Sequence, residues 1–342
     1  MLPDPTISDI PASIRDSTVL FAPIREHLRL LDEFLDAQVV EFEPAVRSLV
    51  SYTLAHRGKR LRPALVFYAG WTGTPPAQPL VRAAAIIELV HLATLIHDDI
   101  LDEADLRHNS RTIVAQHGQH PAVLLGDAFF AQALILASEF PTTEVCRHVS
   151  TATRQVCSGE ICQTFDRGNV HLTLEQYYRI IRLKTAELFE VSCRLGATLA
   201  FDDVAYADAC AIYGRHLGIA YQIFDDITDL IGSEAGFGKT LGTDFSSGKF
   251  TLPALLYFGQ LGVEDFAQLT EALEHHLIAP DELVQRMLAV DIPQRCAEIF
   301  HAELDKALAA IVSFKNVPAT KRLGELAGFI RAQLDALHFP AS

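Results

Sequence analysis

The sequence predicts an all-α protein, a helical bundle built as one domain. Three observations carry that expectation. Apolar residues recur at helical spacing along nearly the whole chain, strand-like alternation is almost absent, and prolines and glycines fall mostly between the periodic stretches. Those stretches are 24–57, 79–103, 122–138, 143–165, 174–200, 203–232, 251–259, 264–275, 281–289, 293–312 and 317–336. Turn-forming groups such as Gly73-Thr74-Pro75-Pro76 and Asp166-Arg167-Gly168-Asn169 separate them. Gly58-Lys59-Arg60-Leu61-Arg62-Pro63 reads as a helix start. Residues 232–249 carry Gly232, Gly236, Gly238, Gly242 and Gly248 among Ser, Thr, Asp and Lys, which predicts a mobile loop. No low-complexity linker interrupts the chain. Residues 1–342 therefore read as one all-α domain, the first 20 residues being an ill-defined N-terminal segment.

An apolar fraction of 49% over 342 residues allows a large core and an extensive subunit interface. The formal charge is −15, from 43 acidic and 28 basic residues. That balance opposes nucleic acid as a partner, which would draw on a net basic footprint. Small phosphorylated ligands remain open, since they need only a local basic cluster. Cys146, Cys157, Cys162, Cys193, Cys210 and Cys296 form no C-x-x-C pair and no zinc spacing. They are expected as small hydrophobes in a reducing compartment. No basic segment leads into an apolar one at the N-terminus. The most apolar stretch, 83–96, is interrupted by Glu88 and His91 and falls short of the ~18 apolar residues of a membrane span. The expectation is a cytoplasmic protein with no transmembrane segment.

One internal echo stands out. Leu95-Ile96-His97-Asp98-Asp99-Ile100-Leu101-Asp102 and Gln222-Ile223-Phe224-Asp225-Asp226-Ile227-Thr228-Asp229 share the pattern Asp-Asp-x-x-Asp at the end of an apolar helix. In each, the first and last Asp share a helix face and the middle one points about 100° away. Like charges at that spacing destabilise a bare helix by a few tenths of a kcal/mol. One such cluster reads equally well as a solvated helix end. Two of them, each on a helix too apolar to face water, ask for compensating cations. Magnesium suits them, because it takes a few carboxylates plus water and phosphate oxygens.

The bases are placed to match. Lys59, Arg60 and Arg62 cluster at a helix start, where backbone N–H groups also favour anions, although the group alone also reads as a solvated basic turn. Arg107 and Arg111 follow the first aspartate cluster, Lys184 sits in Lys184-Thr185-Ala186, and Lys239 and Lys249 lie in the glycine-rich stretch.

With these residues in place, the chain resembles the trans-type polyprenyl (isoprenyl) diphosphate synthases. The matching motifs are Gly58-Lys59-Arg60-Leu61-Arg62-Pro63, Glu88-x-x-His91 leading to Asp98-Asp99-x-x-Asp102, Gly126-Asp127, Gly159-Glu160-x-x-Gln163 and Lys184-Thr185-Ala186. They continue with Tyr221-Gln222-x-x-Asp225-Asp226-x-x-Asp229, Gly238-Lys239, Asp244 and Gly248-Lys249-x-Thr251-Leu252-Pro253. The run covers about 55–255 in the family's order; the first 20 residues and those beyond about 260 match only in helical character.

The resemblance implies an isoprenoid-synthase-type bundle that condenses isopentenyl diphosphate with an allylic diphosphate, using three magnesium ions. Asp98 and Asp102 would hold two ions and Asp225 a third, with Asp99, Asp226 and Asp229 in support. Arg107, Lys184, Lys239 and Lys249 would contact the allylic diphosphate, and Lys59, Arg62 and His91 the diphosphate of isopentenyl diphosphate. Thr185, Gln222 and the Tyr221 ring would line the place where the allylic cation forms. The released diphosphate itself would take the proton. Where many relatives carry Arg-Arg-Gly, this chain has Arg107-His108-Asn109, so His108 stands in place of a second cation. A histidine gives no bidentate fork, and weaker or pH-sensitive binding of isopentenyl diphosphate is expected.

Product length should depend on the depth of the apolar passage below the aspartates. Ala93 and Thr94 lie about 7.5 Å back from Asp98 along the helix. Both are small, which leaves the passage open and predicts products beyond farnesyl length. Phe129 and Phe130 read either as a deeper floor or as core residues. The rival readings are a short-chain (geranyl, farnesyl or geranylgeranyl) synthase, a class I terpene cyclase, which has no use for Lys59 and Arg62, and a non-catalytic subunit of a heteromeric synthase, which would be expected to lose metal ligands. His97 reads as a packing or solvent-facing residue, and the family implies a homodimer.

Overall fold

The computed structural model describes residues 20–56, 58–107, 110–231, 245, 247–275 and 277–337. Helices α1 (Arg25–Gln38), α2 (Arg47–Ala55), α3 (Leu61–Ala69) and α4 (Gln78–Leu101) open the bundle. They are followed by α5 (Ile113–His117), α6 (Gln119–Ser138), α7 (Glu144–Phe165) and α8 (Leu174–Ile181). A π-helical turn, Arg182–Ala186, joins α8 to α9 (Glu187–Ala200), and α10 (Val204–Ile231) completes the central set. The C-terminal layer is α11 (Leu252–Phe258), α12 (Val263–Glu274), α13 (Pro280–Leu288), α14 (Ile292–Ile311) and α15 (Pro318–Asp335). Among the described residues the sole sheet is a two-residue antiparallel pair, Leu106↔Arg111 and Arg107↔Ser110.

The periodic stretch 24–57 is divided by short 3-10 turns at Val39–Glu41 and Pro44–Val46, with extended backbone at Phe42 ahead of Pro44. Helix α3, signalled only by its start, shows no period because Pro63 to Ala69 are all buried. The stretch 174–200 is two helices around the π turn rather than one. The predicted loop 232–249 falls outside the described residues except for 245 and 247–249, as do His108 and Lys239.

Among the described residues two helices, α4 and α6, are long and apolar enough to cross a membrane by length and composition. Counting uninterrupted apolar residues had discounted the first. In the bundle, 72% of its most apolar window is buried, so its hydrophobicity is spent on the core. Helix α6 is buried over 44% of its window and leaves Leu124, Leu134 and Ile135 exposed.

Close helix crossings fix the centre. A Cβ on Gly196 of α9 would lie 2.2 Å from the Val66 carbonyl of α3, and one on Gly214 of α10 would lie 2.5 Å from the Phe189 carbonyl of α9. These glycines let α9 seat between α3 and α10 at backbone distance.

Candidate active site

The first aspartate cluster ends α4. Asp102 is its C-cap, and Glu103 turns the chain away with a left-handed φ of 50°. His97 packs outward: its Nε2 lies 3.1 Å from the Val123 carbonyl, and a Cβ on Gly126 would collide with the ring. That packing explains the Gly126-Asp127 motif and leaves the Asp98 face of the helix to the interior.

The three carboxylates of the cluster have different surroundings. Asp99 is buried and accepts from Arg107 Nε at 2.6 Å. Asp102 accepts from Arg167 Nη2 at 2.7 Å and from Lys249 Nζ at 3.0 Å. Burial alone would raise the Asp102 carboxyl, but Lys249, Lys184 and Arg167 outweigh it and hold it below the ordinary value. Among the described residues Asp98 pairs with Lys184 alone, at 4.0 Å, and burial, countered by Lys184 and reinforced by Glu160, pushes its carboxyl up to about 6.

Lys184 sits on the π turn, a rare geometry that re-aims side chains. A Cβ on Gly159 of α7 would stand 2.5 Å from Lys184 N, so only glycine lets α7 approach. There Lys184 pairs with Glu160 and donates to Gln163 Oε1 at 2.8 Å. Burial opposes the ammonium, yet Asp98 and Glu160 prevail and raise it. Lys184 is a firm cation.

The second cluster lies near the end of α10. Asp226, 2% exposed, accepts from Tyr177 Oη at 2.6 Å and from Gln222 Nε2 at 3.0 Å. Gln222 Oε1 accepts from Thr185 Oγ1 at 2.7 Å. Thr185, Gln222, Asp226 and Tyr177 thus form one hydrogen-bonded chain. It fixes the Gln222 amide orientation and engages both carboxylate oxygens of Asp226. Asp229 is also buried. A cavity of about 190 Å³ is lined by Asp225, Asp226, Gln222, Thr185, Lys184 and Lys249, with Tyr177, Ile180, Ile181 and Phe250 among its walls.

The cationic turn is held from α4. Arg60 adopts a left-handed φ of 52° and caps α3; its buried guanidinium pairs with Glu88 and, at 3.3 Å, with Asp32. Three residues on, His91 Nε2 lies 3.1 Å from Arg62 Nη1. The Glu88-x-x-His91 motif therefore organises Arg60 and Arg62 together. Arg62 also stacks over Phe189 at 5.1 Å, and Tyr221 packs on the same ring at 5.4 Å. Burial lowers the Arg62 guanidinium, whose Nε finds no acceptor among the described residues. Lys59 is exposed beside it. A half-buried cation with an enclosed, unmet donor fits an anion.

The donor set also fits magnesium. Asp98 is an under-neutralised carboxylate, Asp102 follows one turn on, and hard oxygen ligands are what the ion takes. Among the described residues no three His, Cys, Asp or Glu side chains form a ready cage. A site completed by phosphate oxygens needs none.

On the passage side, Thr94 and Leu95 share the partly open face of α4 with His91 and Asp98, whereas Ala93 is fully buried. Phe129 is also fully buried, edge-on to Phe42 at 5.8 Å. Phe130 is half-buried and edge-on to His97 at 5.7 Å. Tyr177 and Arg167 carried no signal in the sequence. Glu160, Gln163 and Glu88 belonged to motifs without an assigned role.

Comparison with known proteins agrees with this geometry. Residues 43–289 match the model of the polyprenyl synthetase family. The octaprenyl diphosphate synthase of Escherichia coli is 32% identical over 287 residues, covering 82% of this chain and 88% of the relative. The Bacillus subtilis heptaprenyl diphosphate synthase component 2 is 31% identical over 309 residues, covering 88% of each. The crystal structure of a decaprenyl diphosphate synthase from Rhodobacter capsulatus superposes with a TM-score of 0.86 at 26% identity, covering 93% of this chain and 99% of that one. The chain belongs to the polyprenyl synthetase family.

Proposed function

We propose that this protein lengthens an allylic diphosphate with isopentenyl diphosphate, head to tail, giving products beyond farnesyl length. One observation carries the reading. Lys184 and Lys249 line the same cavity as Asp225 while reaching Asp98 and Asp102, so both aspartate clusters serve a single anion-binding space.

Magnesium, when bound, would neutralise the diphosphate and make it a leaving group, with three ions proposed for the loaded site. Asp98, Asp102 and Asp225 would hold the ions, backed by Asp99, Asp226 and Asp229. Lys184, Arg107, Lys239 and Lys249 would take the oxygens of the allylic diphosphate. Lys59, Arg62 and His91 would hold isopentenyl diphosphate. The allylic C–O bond breaks with its electron pair leaving on the diphosphate, and the alkene of isopentenyl diphosphate forms the new C–C bond. The proton then lost goes to the released diphosphate. Thr185 Oγ1, Gln222 and the Tyr221 ring would face the developing positive charge, and excluding water protects it.

Relatives named octaprenyl, heptaprenyl and decaprenyl synthases support long products, as does the small Thr94 on the partly open face of α4. The exposed Leu124, Leu134 and Ile135 of α6 support pairing of two copies through that helix. A relative named as component 2 keeps a heteromeric assembly in view, and gel filtration with activity of the isolated chain decides between them. The function is tested by mass analysis of products from isopentenyl diphosphate with dimethylallyl, geranyl or farnesyl diphosphate. Elongation past farnesyl length is expected; product formed from an allylic diphosphate alone would mark a cyclase instead.

A further inference from the structure

Arg167 belongs to none of the motifs, yet it reaches the first aspartate cluster from the turn between α7 and α8. Its Nη2 donates to Asp102 Oδ1, the same oxygen that accepts from Lys249. The turn is built to hold this pose. Asn169 Nδ2 donates to Asp166 Oδ1 at 3.0 Å, and Gly168 N donates to the Gly248 carbonyl at 2.8 Å, next to Lys249. A second observation points to a ligand: the Arg167 Nε–H is buried and finds no acceptor among the described residues. A buried donor left unmet is costly unless something other than these side chains meets it. An anion is the fitting partner for a guanidinium so placed.

We propose that Arg167 is a positioning residue that competes with divalent cations for Asp102 and turns to the diphosphate once Asp102 is given up to the metal. The proposal deepens the functional reading above and rests on Asp102 being a metal ligand. Its consequence is ordered loading. With Arg167 on Asp102, metal alone binds weakly; metal arriving with a diphosphate gives the guanidinium an acceptor and binds well.

The test is Mn2+ binding to the full chain, followed by electron paramagnetic resonance, with and without inorganic pyrophosphate. Arg167→Ala should bind Mn2+ alone about threefold more tightly, the scale of one partly exposed ion pair. It should hold Mn2+ with pyrophosphate about tenfold more weakly, the scale of a lost charge-assisted hydrogen bond. Arg167→Lys keeps the charge and should shift both affinities in the same senses by smaller factors, which secures the test if the alanine variant folds poorly. A merely structural role would weaken both. Unchanged or weaker binding of Mn2+ alone, or unchanged binding with pyrophosphate, overturns the proposal. Asp102→Asn separates the layers: metal affinity like that of the natural chain in that variant removes the ligand role of Asp102 and the proposal with it.

Discussion

Tyr177 donates a 2.6 Å hydrogen bond to Asp226, tying α8 to the middle carboxylate of the second aspartate cluster. Both groups are buried, and the carboxylate also holds Gln222. Tyr177→Phe should cost about 1.5–3 kcal/mol of stability, as expected for a bond to a charged acceptor. It should also weaken Mn2+–pyrophosphate binding, because Asp225 is the next residue on the same helix. Thermal unfolding and a metal titration check the two effects.

Arg60 and Glu88 form a buried ion pair with exposures of 8% and 3%, and removing Glu88 leaves Arg60 with the longer 3.3 Å contact to Asp32. Glu88→Gln should cost about 3–5 kcal/mol in urea unfolding and raise the KM for isopentenyl diphosphate, since the turn carrying Lys59 and Arg62 loosens. Arg60→Met with Glu88→Leu should recover much of the stability but not the KM.

The open face of α4 is expected to set product length. Ala93→Phe and Thr94→Phe should both shorten the products in mass analysis, and Thr94→Phe the more, because Thr94 lies on the partly exposed face with Asp98. Unchanged length in both variants would remove α4 as a determinant.

His27 gives the fold a pH dependence. Its imidazole is 5% exposed, stacks on Trp71 at 5.2 Å, and is pushed by burial from 6.5 to about 4. Between those values the unfolded chain binds a proton that the folded chain refuses. Stability is therefore full above pH 6.5 and declines as pH falls towards 4, by ~3 kcal/mol at most. His27→Phe should flatten that decline, read from the fluorescence of Trp71, the sole tryptophan.

Much of the site was legible because its chemistry is written in local patterns. Asp98 and Asp102 share a face by helical spacing, and the lysine and arginine turns sit in recognisable contexts. What escaped was non-local. Tyr177 finds Asp226 49 residues away, and Arg167 finds Asp102 65 residues away. No periodicity predicts such meetings. Helix α3 escaped because a fully buried helix has no amphipathic period, and the π turn because one inserted residue leaves the pattern of its flanks intact. Phe129 shows the opposite case: either role suited the sequence, and the structure buries it fully, edge-on to Phe42.

The most direct test of the two-cluster account is anomalous diffraction from crystals soaked with Mn2+ and pyrophosphate. The account predicts one pyrophosphate bridged by ions on Asp98 and Asp102 from one side and on Asp225 from the other. Ions at one cluster alone, or a pyrophosphate bound away from both, would contradict it.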